Sequence, residues 1–213
     1  MEYTQNSEWG RGMILKNKLS ITHQVELAKA EEKISKQKAK QLFDSGDIHK
    51  VDIGTFKGLS FIHAYLFDDI YDFAGKIRDV NIAKGNFRFA PLMYLSASLD
   101  HIDAMPQGSF DEIIEKYVEM NIAHPFREGN GRATRIWLDL ILKIEIKQVV
   151  DWNAVDKDDY LSAMQRSVVK DVEIKTLLKN ALTDQIDDRA LFMKGIDVSY
   201  YYEGYSEFKT EEL

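Results

Sequence analysis

The 213-residue sequence contains no cysteine, which excludes disulfide bonds, thiolate nucleophiles, iron–sulfur clusters and cysteine-ligated zinc. Only three prolines and twelve glycines interrupt it, and no Pro-, Gly- or Ser-rich stretch divides it into separate domains. The N-terminus lacks the apolar core of a signal peptide, and no run of about 18 apolar residues is present to span a membrane. We therefore expect a cytoplasmic protein without a membrane partner.

Basic charge is also scarce, because 28 Lys and Arg residues stand against 35 Asp and Glu residues and the net charge is −7. An acidic surface repels the phosphate backbone, so direct binding of nucleic acid is not expected. Hydrophobic residues make up 45% of the chain and charged residues 30%, which is typical of an ordinary globular protein. At this length we expect one domain with an appendage.

Apolar residues recur at helical spacing along most of the chain. The pattern predicts helices over residues 23–43, 56–71, 110–124, 130–146, 154–168, 171–182 and 196–203. A capping box at Ser109–Glu112 begins the third of these, and Pro125 ends it. Apolar and polar residues alternate convincingly only in 78–90, around a turn at Gly85, which indicates one β-hairpin. The predicted fold class is all-α with one small β-hairpin.

Residues 124–135 read His-Pro-Phe-Arg-Glu-Gly-Asn-Gly-Arg-Ala-Thr-Arg and join two of the predicted helices. Gly129 and Gly131 permit positive φ and a close approach of the backbone to a ligand, and amides at the start of the second helix form an anion site. Arg132 and Arg135 lie one turn apart on that helix and point to the same side. Two guanidinium groups beside such a backbone site suit a polyphosphate.

Two further side chains add chemistry to this segment. The single carboxylate of Glu128 suits Mg²⁺ bound through phosphates, since Mg²⁺ needs few protein ligands. His124 is the only histidine near these groups, and an ordinary imidazole pKa near 6.5 makes it a competent general base. The sequence has neither a GxxxxGK[ST] loop nor an HExxH motif, which excludes those nucleotide and zinc sites.

The segment HPFREGNGRATR resembles the Fic motif HxFx[DE]GNGRxxR, which it matches at every defined position. The predicted helices and hairpin also resemble the Fic core, over roughly residues 40–204. The resemblance implies a helical protein adenylyltransferase that moves AMP from ATP to a Ser, Thr or Tyr hydroxyl of a target protein. It makes His124 the catalytic base, Glu128 the Mg²⁺ ligand and Phe126 the anchor of the loop.

The resemblance also implies a nucleotide site and a flap. Arg135 would hold the γ-phosphate, and the anion site would be formed by Gly129, Asn130 and Gly131, with Arg132 beside them. The hairpin would bind the target backbone by strand addition. Its implied docking residues are Lys84, Gly85, Asn86 and Phe87. A separate observation concerns Tyr160 and Met164, which lie one turn apart; they could flank adenine, but such a stripe more often belongs to a core.

Residues 199–204, Ser-Tyr-Tyr-Tyr-Glu-Gly, resemble the inhibitory motif [ST]xxxE[GN] of Fic proteins whose inhibitory helix is C-terminal. Ser199 and Glu203 would share one helix face. The resemblance implies that Glu203 pairs with Arg135 and occupies the γ-phosphate site. An ordinary acidic terminal helix is the alternative. A carboxylate at this position could also activate water and remove AMP from a modified protein.

Four tyrosines crowd the same segment, and packing is the simple explanation for them. The alternative is that one hydroxyl becomes a target of self-modification and so releases Glu203. The candidates are Tyr200, Tyr201, Tyr202 and Tyr205.

The expected organisation is an irregular segment over 1–20, a helical domain over 21–195 and an inhibitory helix with its tail over 196–213. Besides a regulated adenylyltransferase, two functions stay open. One is a Fic-type transferase with another diphosphate donor, and the other is a non-catalytic helical module that binds a nucleotide or a partner.

Overall fold

The computed structural model describes residues 3–5, 14–85 and 87–213. Within these ranges the helices are α1 (Gln24–Asp44), α2 (Phe56–Phe67), α3 (Leu92–Ala104), α4 (Phe110–Ala123), α5 (Asn130–Ile146), α6 (Lys157–Ser167), α7 (Val172–Asn180) and α8 (Arg189–Tyr202). Short 3-10 helices lie at Asp47–Lys50, Trp152–Ala154 and Thr210–Glu212. The predicted all-α class is confirmed. None of the helices in the described ranges has the length and apolarity needed to traverse a bilayer.

The predicted hairpin is present as strands β2 (Asn81–Lys84) and β3 (Phe87–Arg88), which pair antiparallel. Gly85 lies in the turn with a φ of 58°, a left-handed conformation that glycine adopts without steric cost. Asn86, which was also predicted to serve this turn, lies outside the described residues.

Two strand pairings were not predicted. Strand β1 (Tyr3–Gln5), within the segment 1–20 that was expected to be irregular, runs parallel to β2. Strands β4 (Val149–Val150) and β5 (Leu182–Thr183) form a second antiparallel pair. Segments of two or three residues are too short to show an alternating pattern, so no local signal predicts these strands.

Helix α5 is central to the core. It packs against α2, α4 and α8, and its residues Trp137, Leu138 and Ile141 are fully buried. The indole Nε1 of Trp137 donates a hydrogen bond to the carbonyl oxygen of Thr55, which precedes α2. A helix with apolar residues on most of its faces is buried on most sides, as α5 is here.

Helix boundaries follow the capping signals closely where these are strong. Ser109 and Glu112 form the predicted capping box of α4, and the helix ends before His124, whose φ of 49° and ψ of 61° are left-handed. Helix α2 ends four residues before the predicted end. The amides of Ile70 and Tyr71 both donate to the carbonyl of Phe67, which forms a tight turn there.

Helix α8 begins at Arg189 rather than near residue 196. The carboxylate of Asp188 caps its first turn by accepting a hydrogen bond from the amide of Leu191.

Candidate active site

The loop between α4 and α5 is closed by its own side chains. Asn130 accepts a hydrogen bond from the amide of Phe126 and donates one to the carbonyl of the same residue, each 2.8 Å long. Phe126 is fully buried and stacks on the ring of His63, with 3.8 Å between centroids. The side-chain amide of Asn130 is therefore engaged in hydrogen bonds within the loop. Asn130 itself borders the cavity described below, at the start of α5.

The two glycines of the loop serve different physical needs. Gly129 has a φ of 78°, and a Cβ atom there would lie 2.5 Å from the ring of Phe67. A Cβ atom on Gly131 would lie 2.5 Å from a carboxylate oxygen of Glu203 and 3.1 Å from a guanidinium nitrogen of Arg135. Gly131 thus leaves the space in which an anion reaches the N-terminus of α5, as the anion-site prediction requires.

His124 lies at the C-terminal end of α4, against the hairpin. Its ring stacks on Phe89 with 3.6 Å between centroids, and its buried Nδ1 has no hydrogen-bond partner among the described residues. Burial, assisted by the positive charges of Lys84 and Arg78, lowers the pKa of His124 to about 3, although Glu203 acts in the opposite direction. The imidazole is therefore neutral at neutral pH, which is the form that accepts a proton.

A cavity of about 570 Å³, which is within the usual size of a ligand pocket, joins these groups. It lies between the hairpin, the loop, the start of α5, helix α6 and the end of α8. The predicted site residues that line it are Lys84, Phe87, His124, Glu128, Gly129, Asn130, Gly131, Arg132, Arg135, Tyr160 and Glu203. Gly85 and Ser199 do not border this cavity.

Arg132 is a buried connection between two carboxylates. Its guanidinium donates to Glu128 over 3.0 Å and also to Glu31, a residue of α1. Burial raises the pKa of Glu128, which Arg132 partly offsets. Groups of three or more His, Cys, Asp or Glu that could hold a metal are absent from the described ranges. The carboxylate of Glu128, which lines the cavity, suits Mg²⁺, because Mg²⁺ keeps several waters and binds substrate phosphates.

Comparison with known proteins agrees with this arrangement. A family model described as Fic/DOC family matches residues 55–142. Over 185 residues the chain is 29% identical to the protein adenylyltransferase VbhT of Bartonella schoenbuchensis. The aligned region covers 80% of this chain and 37% of VbhT. Over 170 residues it is 27% identical to the probable protein adenylyltransferase Fic of Escherichia coli K12. The aligned region covers 75% of this chain and 82% of that protein. Residues 55–142 therefore match the Fic/DOC family.

Solved structures share the Fic fold. The BepC protein of Bartonella tribocorum, crystallised with AMPPNP, aligns with a TM-score of 0.65 at 19% identity and covers 83% of this chain and 95% of BepC. The Fic domain of a Bartonella quintana effector, crystallised with ADP, aligns with a TM-score of 0.66 at 18% identity. It covers 82% of this chain and 93% of that one.

The C-terminal helix reaches the Fic motif through Arg135. This guanidinium donates to Oε1 of Glu203 over 2.9 Å, to Oγ of Ser199 over 2.7 Å and to the carbonyl of Ser199 over 2.9 Å. Burial alone would raise the pKa of Glu203, but the charges of Arg135 and Lys84 outweigh it and lower the pKa to about 2. The carboxylate is therefore ionised and paired. Asp139, which lies one helical turn after Arg135 on α5, accepts hydrogen bonds from the amide of Val150 and the indole of Trp152 instead of pairing with Arg135.

The flap also reaches Glu203, a contact that the sequence did not predict. Nζ of Lys84 lies 3.7 Å from Oε2 of Glu203, on the far side of the carboxylate from Arg135.

Tyr160 borders the cavity and also belongs to the core. Its ring lines the cavity, yet it is buried, stacks on Tyr202 and shares a hydrogen bond with the hydroxyl of Tyr117.

Supporting residues from distant segments were missed by the sequence analysis. His63 of α2 accepts a hydrogen bond from the amide of Gly75 through Nδ1, so its Nε2 carries the proton and donates to the carbonyl of Glu128 over 2.8 Å. Arg78 bonds to the carbonyl of His124. A lone histidine or arginine outside a motif carries no sequence signal of such a contact, because its partner lies more than 40 residues away.

Proposed function

We propose that this chain is a protein adenylyltransferase that moves AMP from ATP to a Ser, Thr or Tyr hydroxyl of a target protein. The proposal rests on the cavity in which His124, Glu128 and Arg135 meet the N-terminus of α5. Two relatives are named protein adenylyltransferases, and two similar structures hold AMPPNP or ADP, which supports an adenine nucleotide as donor. Residues 21–195 would be the catalytic helical domain.

In the proposed reaction the target hydroxyl oxygen attacks the α-phosphorus of ATP in line. A new phosphorus–oxygen bond forms, the bond to the β-phosphate oxygen breaks, and pyrophosphate leaves. Neutral His124 accepts the hydroxyl proton, which contributes roughly 10²–10⁴-fold to the rate. The amides at the start of α5 and the guanidinium of Arg135 stabilise phosphate charge. Glu128 would hold Mg²⁺, which neutralises further charge when bound.

We also propose that residues 196–213 inhibit the enzyme through Glu203. Its Oε1 fills the space left by Gly131 and is bonded to Arg135, so it competes with the γ-phosphate for the same guanidinium. A contact of this kind shifts the equilibrium by about 1–3 kcal/mol, or 5–150-fold, so ATP and a target can still open it.

The flap would present the target as an extended segment. Strand β2 is central in the sheet order β1-β2-β3, so a target strand either pairs with β3 or replaces β1. Of the four candidate tyrosines for self-modification, only Tyr201 is exposed, at 53%, whereas the other three are buried. We therefore propose Tyr201 as the hydroxyl to examine first.

Labelled ATP tests the function directly. Wild type and Glu203→Gly are incubated with Mg²⁺, a clarified bacterial lysate and ATP labelled at either the α- or the γ-phosphate. We expect protein label from α only, raised 5–150-fold in Glu203→Gly and lost in Glu203→Gly/His124→Ala. Peptide mapping of the labelled chain examines Tyr201.

A matched control is Glu212→Gly, which changes an exposed carboxylate of the same tail and should leave the rate unchanged. Label from γ would indicate a kinase, and tight ATP binding without any label would indicate the non-catalytic module. Unchanged activity in folded Glu203→Gly would reject the inhibitory role.

A further inference from the structure

Arg78 connects the flap to the end of α4. Its Nε donates to the carbonyl of His124 over 2.8 Å, and one Nη donates to the carbonyl of Ala123 over 3.3 Å. Nη1 donates to the carbonyl of Val80, and the Nη2 that bonds to Ala123 donates also to the carbonyl of Ala90. These two residues precede β2 and follow β3, so one side chain holds both ends of the hairpin against the end of α4.

The burial of this cation has a physical explanation. Arg78 is 3% exposed, and no carboxylate lies within ion-pair distance of it in the described part of the chain. Its partners include the last carbonyls of α4, which have no partner within the helix and carry the negative end of its dipole. A guanidinium reaches them and the hairpin together because its donors point in several fixed directions within one plane.

His124 needs such support because its backbone is unusual. Its left-handed conformation is uncommon for any residue other than glycine. The amide of Ala90 bonds to the carbonyl of Ile122 over 3.0 Å, and the ring of Phe89 covers the ring of His124. The hairpin and the imidazole therefore share one set of contacts, and Arg78 lies at their centre.

We propose that Arg78 is a positioning residue that fixes the imidazole of His124 relative to the flap. This inference rests on the proposed function. The flap holds the target hydroxyl and His124 removes its proton, so the distance between them depends on the contacts of Arg78. A displacement of about 1 Å at a reacting group can cost 10²-fold in rate. Arg78 does not line the nucleotide cavity, so it should not affect the binding of ATP.

The test uses Arg78→Lys in the Glu203→Gly background. Lysine keeps the charge, but its single ammonium group cannot reach the carbonyls of α4 and those of the hairpin at the same time. We expect the rate of label transfer from α-labelled ATP at saturation to fall about 10–100-fold per folded molecule. The Kd of ATP, measured by calorimetry, should change less than about threefold. Arg127→Lys is the matched control, because Arg127 is 40% exposed and lies 3.6 Å from Asp79.

The outcomes separate the inference from the function on which it rests. Full transfer per folded molecule by Arg78→Lys, with none by His124→Ala, would overturn only the role of Arg78. Activity in His124→Ala, or no label in Glu203→Gly, would overturn the proposed function and the inference with it. A proportional loss of ATP affinity and rate would assign Arg78 a general structural role.

A measurement on the wild-type protein covers the case in which Arg78→Lys does not fold. The Nε–H proton of Arg78 is observed by nitrogen-15 NMR in exchange with deuterated water. We expect it to exchange as slowly as the amide of Phe89, which bonds to Ile82 across the hairpin. Exchange at the rate of a free arginine side chain would contradict the proposal.

Discussion

At the scale of single residues, three buried arginines have three different kinds of partner. Arg132 lies between two carboxylates, Arg135 is shared between a serine and a carboxylate, and Arg78 bonds only to backbone carbonyls in the contacts described above. A buried charge is strongly destabilising once its partner is removed. Each partner of these arginines is therefore a place where a small substitution has a measurable effect.

The ionised state of Glu203 gives a prediction about pH. Its pKa is lowered to about 2 from an ordinary value of 4.5, so its contribution to folding is complete above about pH 4.5 and is lost as the pH falls towards 2. Wild type should exceed Glu203→Gln in free energy of unfolding by about 1.5–3 kcal/mol between pH 5.5 and 8. Urea unfolding of both proteins from pH 3 to 8 measures this difference.

The urea unfolding series has a control variant and an outcome that would contradict the prediction. Glu212→Gln, at an exposed position of the tail, should show no such dependence on pH. A difference between wild type and Glu203→Gln that already shrinks between pH 8 and 6 would mean that the carboxylate is not held ionised by Arg135.

At the scale of elements, the tail after α8 folds back onto α1. Both oxygens of the buried carboxylate of Glu32 accept hydrogen bonds from the amide of Glu207, and one also accepts from the amide of Phe208. Lys36 donates to the carbonyl of Phe208, and Thr210 bonds to Asp197 of α8. The position of α8, and with it Glu203, is therefore supported by helix α1.

Glu32→Gln should loosen this support. The variant removes one of the two carboxylates that face buried Lys36, so we expect the free energy of unfolding to fall by roughly 2–4 kcal/mol. Transfer of AMP should rise several-fold, because Glu203 is held less firmly. Denaturation and the labelling assay measure the two effects, and Glu26→Gln on the exposed side of α1 is the control. Lower stability without increased transfer would show that the tail does not support inhibition.

The elements that the sequence predicted well are those with local signals. Helix α4 begins at its capping box and ends before Pro125, and α5 has the predicted bounds because its apolar residues repeat over many turns. The strands β4 and β5 depend on contacts between distant segments, which a local pattern does not contain.

At the scale of the whole molecule, the same distinction applies to the candidate site. Residues 124–135 are adjacent in sequence, so their spacing predicted the group that lines the cavity. Glu31 and Arg78 reach Arg132 and His124 from α1 and from the segment before the hairpin. Their roles follow from how the helices pack, and no sequence motif indicates these roles. The loop thus carries the chemical groups, while distant segments determine their orientation.

Two parts of the molecule, the Fic motif and the C-terminal helix, meet at the guanidinium of Arg135. Arg135 contacts Glu203 in the present structure, and the proposed mechanism requires the γ-phosphate in the same place. In the proposed mechanism, the inhibited form and the active form therefore differ in which anion Arg135 binds.

The most direct test is a crystal structure of Glu203→Gly with Mg²⁺ and a non-hydrolysable ATP analogue, beside wild type with the same ligand. We predict that the variant holds the γ-phosphate on Arg135 and the α-phosphorus within reach of His124, whereas wild type keeps Glu203 on Arg135 and displaces the phosphates. A nucleotide bound outside this cavity, or one whose α-phosphorus lies far from the imidazole in the variant, would contradict the account.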